Sequence, residues 1–338
     1  MSDYFAASLS GKVCLVTGGT GLIGRAVVQR LCDAGASVRI VSLDRLSVNS
    51  QAVHVLGDLA DFNLCRKIFE GVDYVCHLAG VKGSIEVTKS KPASFFVPLL
   101  QMNTNVLEAA RLARVKGLVF TSSIGAYPSA EVFVERDVLD HEPPMDMFPG
   151  WAKRMAEMQI QAYKIQYGVE NFAVVRPCNV YGPGDNFDPS NAMVIPSLMA
   201  RIAAGETPVV VWGDGAAVRD FAYSDDVADG IIRALLRGTR GSYVNLGSGR
   251  GVTIRELVET LRRVTPFTFH FDATKAGGFP KRVMDITRAR ELLGYEPRVS
   301  LEEGLRRTWE WYQAHREEYK SRKNYFVDPP TPTTGSGR

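Results

Sequence analysis

Apolar residues recur at two different periods in the first half of the chain. Short, nearly continuous apolar runs at Lys12–Thr17, Ser37–Val41, Val53–Leu56, Tyr74–Leu78, Leu118–Ser122 and Phe172–Arg176 predict strands buried on both faces. Segments of helical spacing lie between them. These are Gly21–Ala34 through Ile23, Val27 and Leu31, a segment capped by Asp61 and running to Glu70, Leu99–Arg114, and Trp151–Tyr167 closed by Gly168. Strands alternating with helices of this length predict βαβ units and an α/β fold: a doubly wound parallel sheet covered on both sides.

After Arg176 the pattern changes. Pro177, Pro183, Pro189 and Pro196 punctuate a loop-rich stretch. Met193–Ala204 predicts a short helix, and Ser224–Arg237 a capped helix that returns to the first lobe. Thr253-Ile-Arg-Glu256 and Ser300-Leu-Glu-Glu303 match the capping box, each ahead of an apolar-periodic helix. The second half therefore predicts a smaller mixed α/β lobe interleaved with the first. Trp309, Trp311 and Tyr312 are expected to be packed, and the Pro-, Thr- and Gly-rich tail after Lys320 to be mobile.

The first strand runs directly into Thr17-Gly18-Gly19-Thr20-Gly21-Leu22-Ile23-Gly24, which opens the first helix. Glycines spaced by three serve a sharp turn (Gly18), close backbone approach to a pyrophosphate (Gly21) and tight helix–strand packing (Gly24). The helix N-terminus then offers the N–H groups of Leu22 and Ile23, with a partial positive charge, to an anion. This is the signature of dinucleotide binding. Asp44 lies 20 residues past Gly24, where a carboxylate would hold the adenosine ribose of NAD. Ser42 fits the strand end as well, and Arg45 would suit the 2′-phosphate of NADP, so NAD is favoured with NADP left open. Asp58 and Leu59 follow the third strand, where Asp58 either meets an adenine amino group or serves as a loop carboxylate.

Charge and composition narrow the class. The 338 residues carry 40 Lys+Arg against 37 Asp+Glu, for a net charge of +3, so there is no basic excess of the kind that marks a nucleic-acid partner. No run approaches the roughly 18 apolar residues of a membrane span, and no basic-then-apolar leader opens the chain. A cytoplasmic protein is expected. The five cysteines, Cys14, Cys32, Cys65, Cys76 and Cys178, are odd in number and lack metal-ligand spacing. They are expected to be buried free thiols, with no metal site.

The motifs TGGTGLIG, GDLAD, HLAG, the TSS preceding Tyr127, WAKR, RPCNVYGPGDNF and VVWGDGAAVRDF occur together in one order. In that order and spacing the chain resembles the extended short-chain dehydrogenases/reductases, in the NAD-dependent epimerase/dehydratase group that acts on nucleotide sugars. NVYGPGDNFDPSNAMVIPSLMARI is similar to the GDP-L-fucose synthases. The resemblance runs from about Lys12 to about Trp311. It implies a Rossmann domain over 1–186 with 213–240 returning, a nucleotide-sugar lobe over 187–212 and 241–320, and a tail over 321–338. It implies Ser123 as the hydroxyl that bonds the reacting sugar oxygen and Lys153 as the lysine that holds the nicotinamide ribose. Leu78, Ala79 and Gly80 would line the cofactor cleft. Asn179 would lie near the substrate pyrophosphate, and Arg201, Arg219 and Arg282 would hold the nucleotide and its phosphates, Arg219 foremost. A GDP-sugar is the favoured substrate. A homodimer formed through Leu99–Arg114 and Trp151–Tyr167 is implied as well.

The departures are specific. The resemblance implies a tyrosine four residues before the lysine, and Pro149 stands there. It also aligns Gly125 and Met193 with the cysteine and histidine of an epimerisation step, and Pro98 with an active-site asparagine. Neither proline, glycine nor a thioether moves protons. Three explanations follow: another acid/base group drawn from Asp146, His141, Tyr127 and Cys178; a reaction that needs only Ser123, Lys153 and the cofactor; or a catalytically silent binding protein of the same fold.

Overall fold

The computed structural model describes residues 2–317 apart from 82, 84, 137–141, 189 and 276–277. His141, Pro189 and the tail after residue 317 lie outside the described residues. Seven strands form one parallel sheet: β1 (Val13–Thr17), β2 (Ser37–Ser42), β3 (Val53–Leu56), β4 (Tyr74–His77), β5 (Gly117–Thr121), β6 (Phe172–Pro177) and β7 (Tyr243–Leu246). Their order is β7-β6-β5-β4-β1-β2-β3. The direction of winding reverses between β1 and β4, which opens a crevice beyond their carboxyl ends.

Helices Leu22–Asp33 and Ser224–Arg237 pack on each other, as do Pro92–Ala113 and Met147–Tyr167. Central strands β1, β4, β5 and β6 are almost wholly buried, which accounts for their unbroken apolar runs. The smaller lobe has its own apolar core, built from helices Val194–Ala203, Ile254–Val264 and Leu301–Ala314 around the paired strands Val209–Trp212 and Phe269–Asp272. The lobes also meet through Arg25, whose guanidinium lies 5.3 Å from the Trp311 ring centre. All five cysteines are buried free thiols, as expected.

Several boundaries differ from the sequence reading. The division at residue 241 runs through the large sheet, because Tyr243–Leu246 pairs with β6 and supplies its seventh strand. Helix Pro92–Ala113 begins seven residues before Leu99 and passes through Pro98. Buried Phe95 and Leu99, packed with Ala152, carry it across the bond that proline cannot donate. Helix Met147–Tyr167 begins four residues before Trp151, with Pro149 in its first turn, where the missing N–H would have no helical partner anyway. Ser224 opens its helix from inside, and the cap position is Tyr223 with no side-chain bond. Thr253 and Ser300 do cap, accepting from Glu256 N and Glu303 N at 3.0 and 3.3 Å. Only half of each capping box forms as a box, because the glutamates turn to Arg250 and to Arg306 and Arg307.

Candidate active site

The glycine loop has the geometry its spacing demands. Gly18 has φ +68°, and a Cβ there would come 2.8 Å from the backbone of Ala79. A Cβ on Gly24 would come 2.2 Å from the Gly18 carbonyl oxygen. Gly21 is different: the single atom a Cβ would approach is the Gly18 oxygen at 3.4 Å, which leaves its outer side clear. Gly21 is also the N-cap of helix Leu22–Asp33 and brings no side-chain cap. The N–H groups of Leu22 and Ile23 thus open a helix terminus with bare backbone at its mouth, a cradle that fits a pyrophosphate.

Around this cradle the predicted cofactor residues assemble. Thr20 Oγ1 donates to Asp44 Oδ2 at 3.1 Å, which ties the carboxylate at the end of β2 to the loop. Leu78 and Ala79 leave β4 with their N–H groups on Thr17 Oγ1, at 3.1 and 3.2 Å. Gly80 follows, and a Cβ there would lie 3.9 Å from Lys153 Nζ. Asp58 is exposed and accepts from Ala60 N at 2.9 Å, so it serves the turn that leads through buried Leu59.

His77, at the end of β4, was not singled out from the sequence. It is fully buried; its Nδ1 lies 2.7 Å from Thr17 Oγ1 and its Nε2 3.0 Å from Asn103 Oδ1. Thr17 Oγ1 already accepts two N–H groups, so its own hydrogen goes to Nδ1, and Nε2–H donates to Asn103. Burial first, and then the Lys153 charge, pull the imidazole down to about 3. His77 is therefore a neutral strut under the cleft. Its only sequence signal was its place in HLAG.

Lys153 reaches the end of β5, and Ser123 follows that end two residues after Thr121. Lys153 Nζ donates to the Thr121 carbonyl at 2.8 Å and lies 4.9 Å from the Phe120 ring centre. Burial lowers its pKa to about 8, and Glu157, one turn further on, opposes the fall. Ser123 Oγ accepts from Gly125 N at 3.0 Å, which orients the hydroxyl at the mouth of a short 3-10 turn.

The substrate arginines divide. Arg219 and Arg282 are register partners on adjacent parallel strands. Burial lowers both, and repulsion by Arg282 adds to the fall of Arg219, which comes down to about 10. Two half-buried guanidinium groups on adjacent strands suit an anionic ligand. Arg282 Nε is buried with no hydrogen-bond partner among the described residues, and its guanidinium lies 4.0 Å from the Phe279 ring centre. Arg201 stands apart from the other two: its fork is bound by Glu206, with Nε on Oε2 at 2.7 Å, and by the Val210 carbonyl. It ties the end of its helix to the strand Val209–Trp212. Asn179 Nδ2 donates to the Asp220 carbonyl at 3.0 Å, beside the Arg219 strand.

The structure also sorts the four acid/base candidates. Cys178 is fully buried and its thiol is held neutral by burial and the nearby Asp220. Tyr127 donates to Asn245 Oδ1 at 2.8 Å, deep in the core, and burial raises its pKa. His141 lies outside the described residues. Asp146 caps helix Met147–Tyr167 by position only, without a side-chain bond, and is half-buried. A Cβ on Gly125 would come 2.2 Å from Asp146 Oδ2, so the carboxyl group lies directly on that glycine, two residues from Ser123.

Sheet order and the glycine loop define a dinucleotide-binding protein of the extended short-chain dehydrogenase/reductase type. The chain belongs to the NAD dependent epimerase/dehydratase family, which it matches over residues 14–247. It is 36% identical to GDP-L-fucose synthase 1 of Arabidopsis thaliana over 321 residues, which cover 92% of this chain and 96% of that protein. Among solved structures it is similar to DesIV, a dTDP-glucose 4,6-dehydratase of Streptomyces venezuelae with NAD bound. The TM-score is 0.78 at 26% identity, covering 91% of this chain and 99% of DesIV. It is similar also to a GDP-L-fucose synthetase of Naegleria fowleri bound to NADP, at TM-score 0.76 and 26% identity, with coverage of 91% and 96%. The cofactor class is NAD(P).

Proposed function

We propose that this protein is an NAD-dependent enzyme that modifies the hexose of a GDP-sugar by hydride transfer, as an epimerase, dehydratase or 4-oxidoreductase, without the tyrosine of its family. The observation that carries the reading is that Lys153 reaches both the Thr121 carbonyl at the end of β5, two residues before Ser123, and the neighbourhood of Gly80 in the cofactor cleft. Asp44 beside Thr20 supports NAD over NADP, and the fucose-synthase relative supports a GDP-sugar. Arg219 and Arg282 would meet the sugar-nucleotide phosphates, and Asn179 would lie near them. The dinucleotide, when bound, supplies the hydride acceptor or donor. Lys153 would hold the nicotinamide ribose, Ser123 the sugar oxygen, and the backbone N–H groups of Leu22 and Ile23 the pyrophosphate.

A homodimer belongs to the same proposal. Helix Met147–Tyr167 leaves Met155, Met158 and Ile165 exposed at helical spacing, Ile165 by 76%, and its partner helix leaves Val97 and Leu112 exposed. Two such faces suit a four-helix interface between copies.

Pro149 favours a second reading, a catalytically silent protein that binds dinucleotide and nucleotide sugar. Lys153→Ala separates the two. The enzyme reading expects turnover of a GDP-hexose to fall about 100-fold or more, with the denaturation midpoint hardly changed. Equal losses of turnover and stability would make Lys153 a structural residue.

A further inference from the structure

We propose that Asp146 is the proton-transferring group of this active site, occupying the role that Pro149 cannot fill. The inference rests on the hydride-transfer reading above. Its geometric basis is that Asp146 is the N-cap of the helix that carries Lys153, and that its carboxyl group is held at the turn beside Ser123. Its carboxyl group rests against Gly125, where a Cβ would come 2.2 Å from Oδ2, and Gly125 N donates to Ser123 Oγ. The backbone fixes this approach, since Asp146 N donates to the Gly125 carbonyl at 3.2 Å and Met145 N to the Tyr127 carbonyl at 2.7 Å. At a helix N-cap the usual work of an aspartate side chain is to accept a backbone N–H, and the Asp146 carboxylate accepts none there.

Its surroundings suit the task. Burial raises the pKa of Asp146, and Arg282, reaching over from the smaller lobe beside Arg219, opposes the rise. A carboxyl group with a raised pKa is the better base. In the oxidising direction the carboxylate takes the hydroxyl proton from the sugar carbon that gives up its hydride. The O–H and C–H bonds break, the C=O bond forms, the proton ends on Asp146, and the electron pair passes with the hydride to the bound nicotinamide. The reverse step returns both.

Asp146→Asn keeps the volume and removes the proton acceptor. The expected result is a kcat lowered about 10²–10⁴-fold with KM and NAD affinity changed by less than about threefold, and loss of the acid limb of the pH profile. Asp146→Glu should recover part of kcat, and adding Pro149→Tyr to Asp146→Asn should recover more. A second readout needs no turnover. In protein labelled with carbon-13 aspartate, the carboxyl signal missing from Asp146→Asn should shift when GDP-mannose is added and stay in place with GDP alone. Wild-type turnover that persists in Asp146→Asn, or a signal that responds equally to GDP and GDP-mannose, overturns the proposal and leaves the hydride-transfer reading standing. A wild-type protein inactive on every GDP-hexose overturns the reading itself.

Discussion

Glu157→Leu should destabilise the protein by about 3–5 kcal/mol, among the largest losses available to a single substitution here. Glu157 and Arg176 are both fully buried, and the Arg176 fork meets the carboxylate at 2.9 Å (Nε to Oε1) and 2.5 Å (Nη2 to Oε2). The guanidinium also lies 4.3 Å and 3.6 Å from the ring centres of Tyr127 and Tyr243. Removing the carboxylate leaves a charge that cannot lose its proton buried between two rings, with no anion to meet it. The double variant Glu157→Leu/Arg176→Met removes both charges and should cost much less than the sum of the single losses. Urea denaturation of the four proteins gives the coupling, and additive losses would contradict it. The same substitution reaches the active site. Glu157 is the group that opposes the fall in the Lys153 pKa, so its loss should move the alkaline decline of activity to lower pH. In the wild type that decline is expected as pH rises through about 8, where Lys153 gives up its proton. The stability contribution runs the other way: Lys153 binds fewer protons folded than unfolded between about 8 and its unfolded value, so stability should rise with pH across that window.

Gly24→Ala should abolish dinucleotide binding at accessible concentrations, a loss of at least about 100-fold, or about 3 kcal/mol. The added methyl group would sit 2.2 Å from the Gly18 oxygen and 2.7 Å from Gly19 Cα, and both are backbone atoms that no rotamer change can move. The loop must lift off its helix, and the N–H groups of Leu22 and Ile23 then lose their common aim. Gly21→Ala meets less, a single contact at 3.4 Å in the free protein, so its effect should appear on binding far more than on folding. Calorimetric titration of NAD into the two variants checks both statements. Unchanged affinity in Gly24→Ala would remove the cradle from the cofactor site.

Much of this arrangement was legible in the sequence because local rules decide it. The buried strands needed unbroken apolar runs, Gly18 and Gly24 mark approaches closer than any Cβ allows, and Gly168 ends its helix in the left-handed conformation. What was not legible depends on tertiary packing. Pro98 reads as a break until Phe95 and Leu99 are seen to be buried on either side of it. Tyr243–Leu246 reads as part of the second lobe, because only the completed sheet shows the chain returning to β6. Arg201 and Arg282 look alike as residues; a glutamate five positions on takes the first, while strand pairing sets the second beside Arg219. Asp146 carried no motif spacing, and its place became evident only from the glycine on which it rests.

The most direct test of the central claim, that this chain moves a hydride despite Pro149, is a single-turnover measurement. Protein loaded with NAD is mixed with GDP-hexoses in deuterium oxide, the absorbance of reduced nicotinamide is followed, and the sugar is recovered for mass and NMR analysis. Transient reduction is expected on at least one GDP-hexose, with deuterium or a new carbonyl in the sugar. Tight binding of both ligands with no reduction and an unaltered sugar would contradict it.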